Sequence, residues 1–284
     1  MQKQSVFNEK KEIRRLKVQN RLLSAYEKPV LERVFAQREH IRVLDIGCNN
    51  GEKTVQRFAD PCVEKVVGLE YNPELALEAQ DRFGNDKFSF FSADVEDPTF
   101  QILLTKQMQE MEAFDVIYLS FVLMHLQEPE RVLKALRPFL APDGVLMIVE
   151  ADDENAALIP DEGNLLHSFL HLLAQDPLAG NRQLGALLEE KLSNCGYENI
   201  ASWCKGIEAW GDDKYVKADI FETFFSYLPE DVAQLLKEEP DNEVYRGCSS
   251  WLNAHYQELW RLIMSEHSQI TMGMKILSCV RGTL

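Results

Sequence analysis

The chain has 284 residues, 46 acidic against 30 basic for a formal net charge of −16, and 45% of it is hydrophobic and 10% aromatic. Length and apolar content support one large folded domain, with or without an elaboration, and exclude intrinsic disorder. The acidic excess disfavours nucleic acid as a partner and attraction to an anionic membrane, and no apolar run approaches the roughly 20 residues of a membrane span.

The N-terminus, MQKQSVFNEKKEIRR, is charged from its start and lacks the apolar core of a signal peptide. Six cysteines are scattered without a CxxC pair, which reads as reduced thiols rather than a zinc site or a disulfide scaffold. No group of histidines, cysteines or acids stands at metal-ligand spacing. The expectation is a cytoplasmic protein with no membrane segment and no metal.

Residues 8–38 read as helix, with Leu22, Leu23, Tyr26, Val30, Val34 and Phe35 at spacings of three and four; Pro29 is expected to break or kink it. Ile41–Ile46 is then a short β-rich run, ending in a loop with Gly47 and Gly51 and followed by helix through Phe58. Strand Lys65–Glu70 leads to helix Pro73–Phe83, and strand Phe88–Ser92 leads through an acidic loop, Ala93–Pro98, to another helix. Strand Phe114–Ser120 precedes helix Glu128–Leu140, and the turn Pro142-Asp143-Gly144 introduces strand Val145–Glu150. This alternation predicts a doubly wound α/β fold with a parallel sheet and right-handed crossovers.

Beyond Glu150 the rhythm changes. Helical stretches at about 162–175 and 181–194 precede a strand over Tyr197–Trp210, a helical insertion fills about 214–266, and Met272–Arg281 reads as the last strand. Residues 1–40 are expected to form an N-terminal helical cap and 41–284 the main domain. Cap and insertion would fold over the ligand crevice, and their aromatics (Tyr26, Phe221, Phe224, Phe225, Tyr227, Trp251, Tyr256, Trp260) either line an apolar pocket or form core.

Ligands of such sheets bind at the carboxyl ends of the strands, near the switch point. The loop there reads Asp45-Ile46-Gly47-Cys48-Asn49-Asn50-Gly51. Its glycines allow close backbone approach, and asparagine tolerates positive φ. The spacing is not the GxGxxG of a nicotinamide site, which sets an NAD-linked dehydrogenase aside. About 20 residues on, Glu70 ends the second strand, where an acid can accept from both ribose hydroxyls. After the third strand, Asp94 can accept from an adenine amino group while Val95 lies against the ring.

These residues resemble those of the class I S-adenosylmethionine-dependent methyltransferases, and the small-molecule enzymes most. The resemblance rests on Leu44-Asp45-Ile46-Gly47-Cys48-Asn49-Asn50-Gly51, on Phe114–Ser120 with Met124-His125-Leu126, and on Leu136-Arg137-Pro138-Phe139-Leu140-Ala141-Pro142-Asp143-Gly144. It implies a Rossmann-like, mostly parallel seven-stranded sheet and S-adenosyl-L-methionine as cofactor. It also implies that Asp45, Gly47 and Gly51 surround the methionine end, that Glu70 takes the ribose, and that Asp94 and Val95, with Tyr71, take the adenine; Cys48, Asn49 and Ser120 are further candidate cofactor-binding residues. Asn49 stands where the family usually has glycine, which narrows the pocket without abolishing it.

For the acceptor side, His125 is the candidate base, since imidazole titrates near neutrality, with packing or capping as its competing role. Glu150, heading the acidic run Glu150-Ala151-Asp152-Asp153-Glu154, and Tyr26 are candidate substrate residues. Arg182 is a third, able to pair with a substrate carboxylate or with the acidic loop. Asp115, at the start of its strand, reads as structural. The expected activity is methyl transfer to oxygen, nitrogen or carbon of a small molecule. The alternatives are a protein or tRNA acceptor and a non-catalytic cofactor-binding partner subunit.

Overall fold

The computed structural model describes residues 10–36, 38–107, 113–204 and 206–282; residues 8, 9 and 37 of the expected first helix lie outside them. Helix α1 (Lys10–Phe35) opens the described chain. A strand–helix alternation follows: β1 (Ile41–Ile46), α2 (Glu52–Arg57), β2 (Val63–Glu70), α3 (Pro73–Phe83), β3 (Phe88–Ser92), α4 (Thr99–Gln107), β4 (Phe114–Ser120), α5 (Pro129–Leu136) and β5 (Leu140–Ala151). The rest comprises β6 (Ala157–Ile159), α6 (Leu165–Leu173), α7 (Leu184–Asn194), β7 (Tyr197–Cys204), β8 (Ile207–Trp210), α8 (Lys214–Phe224), α9 (Leu228–Glu238), α10 (Glu243–Ile263), β9 (Gln269–Met272) and β10 (Met274–Arg281).

Seven strands form one sheet in the order β3-β2-β1-β4-β5-β10-β7. Its first five strands pair in parallel, and β7 runs antiparallel to β10. Val43, Leu44 and Ile46 of β1, Val66, Val67 and Leu69 of β2, and Leu146 to Val149 of β5 are buried on successive residues. That is the mark of strands covered on both faces, and it explains why they read as continuous apolar runs. Strand order reverses between β1 and β4, so the carboxyl ends of this pair flank the switch point.

The chain divides into two compact units. One takes residues 10–23, 151–183 and 206–274; the other takes the described residues within 24–150, 184–204 and 275–282, and with them nearly all of the seven-stranded sheet. The first unit holds a small antiparallel sheet, β6-β9-β8, and the helices α6, α8, α9 and α10.

Three local expectations are corrected. Pro29 lies inside α1 without ending it. The missing N–H costs one intrahelical bond, and the buried side chains on both sides of it, Leu22, Leu23, Val30, Leu31 and Val34, offset that loss. The run Tyr197–Trp210 is two strands in two sheets, parted near Gly206, where a Cβ would stand 2.8 Å from Thr271 Cγ2. Finally, Pro142-Asp143-Gly144 lies within β5, whose register against β4 slips between Phe114 and Val116. Those extra residues are taken up as a bulge.

Candidate functional site

The loop joining β1 to α2 turns by alternating left-handed residues: Gly47 at φ 73°, Asn49 at 50° and Gly51 at 76°. A Cβ on Gly47 would lie 2.4 Å from Val122 Cγ2, so only glycine brings the loop this close to the segment after β4. The N–H groups of Gly47 and Cys48 both donate to Leu69 O at the end of β2. Cys48 is buried, and burial beside Asp45 and Glu70 holds its thiol well above the usual range.

One strand over, Glu70 spans the same edge. Its Oε2 accepts from Asn49 N–H and its Oε1 from Asn72 N–H, each at 2.9 Å. Desolvation raises its pKa against those bonds. Each carboxylate oxygen has two acceptor sites and spends one here, which leaves capacity for a vicinal diol. Tyr71, next in the chain, is 57% exposed and Val95 is buried. Asp94 is exposed, and its Oδ1 accepts from Glu96 N–H at 2.8 Å.

Beneath the loop lies an ionic network. Asp45 accepts from Thr54 Oγ1 at 2.6 Å, and burial, the largest influence, raises it to about 6. Glu27, from the later part of α1, is 1% exposed and pairs with Arg57; its Oε1 accepts from Tyr118 OH at 2.7 Å and stands 3.6 Å from Lys53 Nζ. Lys53 Nζ donates to Ser120 Oγ at 2.7 Å. The Arg57 guanidinium also covers the Tyr118 ring at 4.8 Å. Of this set only Asp45 and Ser120 were expected. Glu27, Lys53, Thr54, Arg57 and Tyr118 come together from three elements with no spacing to announce them; the oddity legible in the sequence was charge and hydroxyl on otherwise apolar faces.

On the acceptor side, β4 runs into a short 3₁₀ turn, Leu123–His125, that presents His125 half-buried. The turn is fixed by Glu150, which is fully buried and whose Oε1 accepts from Val122 N–H at 3.0 Å and Leu123 N–H at 2.7 Å. Tyr26 is half-buried on α1. Asp115 is held by the backbone N–H and the guanidinium of Arg42, at 2.8 and 3.0 Å.

In the other unit, Arg182 lies in a charge cluster. Its Nε and Nη2 donate to Asp153 of the acidic loop at 2.7 and 2.8 Å, and its Nη1 to Tyr227 OH at 3.3 Å. Of the aromatics there, Phe224 and Phe225 are core. Phe221, Tyr256 and Trp260, with Gln257, line an open depression of about 450 Å³.

Residues 17–190 match a family model described as a methyltransferase domain. An uncharacterized methyltransferase of Schizosaccharomyces pombe is 26% identical over 170 residues, 57% of this chain and 61% of its own length. The tRNA U34 carboxymethyltransferase of Hahella chejuensis is 22% identical over 206 residues, 70% of this chain and 57% of its own. The chain therefore spans about three-fifths of these relatives' lengths. Among solved structures, phosphoethanolamine N-methyltransferase 2 of Haemonchus contortus, in complex with S-adenosyl-L-methionine, superposes with a TM-score of 0.53 at 13% identity, covering 98% of this chain and 59% of that one. The YcgJ protein of Bacillus subtilis superposes with a TM-score of 0.52 at 15% identity, covering 90% and 98%. At these identities the likeness is one of fold.

Proposed function

The chain belongs to the methyltransferase domain family, and from that premise we propose that it is an S-adenosylmethionine-dependent enzyme that methylates a small molecule at the mouth of β1 and β4. The observation that carries this reading is Glu70, held across the strand ends by the N–H of Asn49 and of Asn72.

The residues at this edge fit the donor. The Gly47–Gly51 loop lets backbone approach it closely, with Gly47 exposed on the crevice side. Glu70 takes the ribose hydroxyls, Val95 and Tyr71 take the adenine faces, and Asp94 takes the exocyclic amine. Cys48 and Asn49 shape the loop from within. When bound, S-adenosylmethionine supplies an electrophilic methyl group on a sulfonium.

The chain's part is then to hold the acceptor in line with water excluded, which supplies much of the acceleration of such displacements. His125 is the base for an acceptor whose proton must leave, and Glu150 sets its position by fixing the turn. Arg182 and Asp153 hold the acidic loop through their ion pair, and Tyr26 is a contact residue for the acceptor.

Titration calorimetry with S-adenosylmethionine tests the reading, and absence of heat at millimolar donor overturns it. Glu70→Ala should lose roughly 10- to 150-fold in affinity, the equivalent of about 1.5–3 kcal/mol for hydrogen bonds to a charged group. Unchanged binding would remove the ribose assignment. A tRNA acceptor is the second reading, favoured by the Hahella chejuensis relative and opposed by the net charge of −16. Tight RNA binding that falls steeply with salt would establish it.

A further inference from the structure

The donor assigned above ends in an amino-acid zwitterion, so a site that takes it has to meet an ammonium and a carboxylate side by side. Asp45 provides a carboxylate at this edge. The question is which cation answers it. Two belong to α2. Arg57 is 5% exposed and committed, its guanidinium paired with Glu27 and laid over the Tyr118 ring.

Lys53 is placed differently. It is 22% exposed, its contact with Glu27 is 3.6 Å, longer than a hydrogen bond, and its one short bond is to a neutral hydroxyl, Ser120 Oγ at 2.7 Å. Glu27 is already balanced by Arg57 and by the Tyr118 hydroxyl. The arrangement thus holds a neutralised Glu27–Arg57 pair together with one further carboxylate, Asp45, and one further ammonium, Lys53. Strand pairing fixes where that ammonium stands. Ile46 lies opposite Leu119, so the residues after them, Gly47 and Ser120, mark the mouth of the switch point. Lys53 Nζ is tied to the second of these.

We propose that Lys53 is the residue that holds the carboxylate of the donor's methionine moiety, exchanging Ser120 Oγ for it when the donor binds. The proposal rests on the function assigned above and adds a residue to it.

The local titration sets a pH window. Burial, and after it the neighbouring Arg57, lower Lys53 to about 8. Facing it are Glu27 of α1, Asp45 of β1, Arg57 of α2 and Tyr118 of β4. Asp45 titrates near 6, Glu27 sits below its ordinary range, Arg57 is raised, and Tyr118 lies well above 10. Between pH 7 and 9 Lys53 is therefore the member of this set that changes charge.

The experiment compares S-adenosylhomocysteine with its decarboxylated analogue, which keeps the amine and the thioether and lacks only the carboxylate. Calorimetry on the wild-type chain, Lys53→Met and Lys53→Arg at pH 7 gives three preferences. The wild type should favour the carboxylate ligand by about tenfold or more, Lys53→Met should bind both alike, and Lys53→Arg should keep the preference. On the wild type alone, raising the pH to 9 should shrink the preference, a measurement that stands even if the methionine variant does not fold. A wild type with no preference, a Lys53→Met variant that keeps it, or a preference unchanged at pH 9 overturns the proposal. A wild type that binds neither ligand overturns the proposed function itself.

Discussion

Within the β1–α2 loop, two neighbouring residues with positive φ are predicted to respond oppositely to substitution. At Gly47 an added Cβ meets Val122 Cγ2 at 2.4 Å on a backbone of φ 73°. Gly47→Ala should lower unfolding free energy by about 1–3 kcal/mol in urea and weaken S-adenosylmethionine binding. A variant as stable and as avid as wild type would show that the loop yields freely. Asn49 occupies φ 50° through a side chain that tolerates it, and it contributes its backbone N–H to Glu70. Asn49→Gly keeps both features, so donor affinity should stay within about twofold, the ordinary spread of a neutral surface change. This loop was legible because its chemistry is carried by consecutive residues. The network below it was not, since Glu27, Lys53, Arg57 and Tyr118 are brought together by strand order and helix packing, which no local spacing encodes.

At the scale of elements, the parallel strands and their crossover helices follow from apolar runs alternating with amphipathic ones, and they stand where the pattern put them. What the pattern misread were junctions, as at Tyr197–Trp210, which is two strands in two sheets. The stretch 214–266, read as a helical insertion, is three helices. Pro229 and Pro240 flank the breaks, and Asn242 Oδ1 accepts from Val244 and Tyr245 N–H to start α10. The start of α8 is pinned to the turn before β9 by Lys217, fully buried among oxygens. Its Nζ donates to Gly211 O, Ser265 O, Ser268 O and Ser268 Oγ at 2.6–3.1 Å. Burial pulls its pKa down, and the acceptors around it keep an ammonium useful there. Lys217→Met fills similar space and leaves these oxygens without their shared donor. It should cost about 1–3 kcal/mol in denaturant unfolding, the penalty for buried groups left unsatisfied. No loss would mean that water replaces the ammonium.

For the molecule as a whole, acidity has a measurable consequence beyond solubility. Asp176 and Asp231 are 6% and 8% exposed, and Asp176 acts on the titration of Asp231. Burial first, and then its neighbour Asp176, raise Asp231 to about 8, against an opposing pull from Arg15. A raised acid holds its proton in the folded state where the unfolded chain has released it. The contribution of this pair to stability is therefore fully present at about pH 4 and is lost as pH climbs toward 8. Asp231→Asn keeps a donor toward Asp176 and carries no charge. Its stability relative to wild type should rise between pH 5 and 9 in parallel urea titrations, and a difference that stays flat would show that the pair does not share a proton.

The division into two units places a constraint on how this chain can change. The backbone passes from one unit to the other at five points, so the unit with the small sheet and the aromatic depression is assembled from three separate stretches of sequence. It is not a cassette. A single recombination crossover, or excision at one pair of boundaries, cannot exchange it whole. A chimaera built to exchange that unit would have to transplant residues 10–23, 151–183 and 206–274 together.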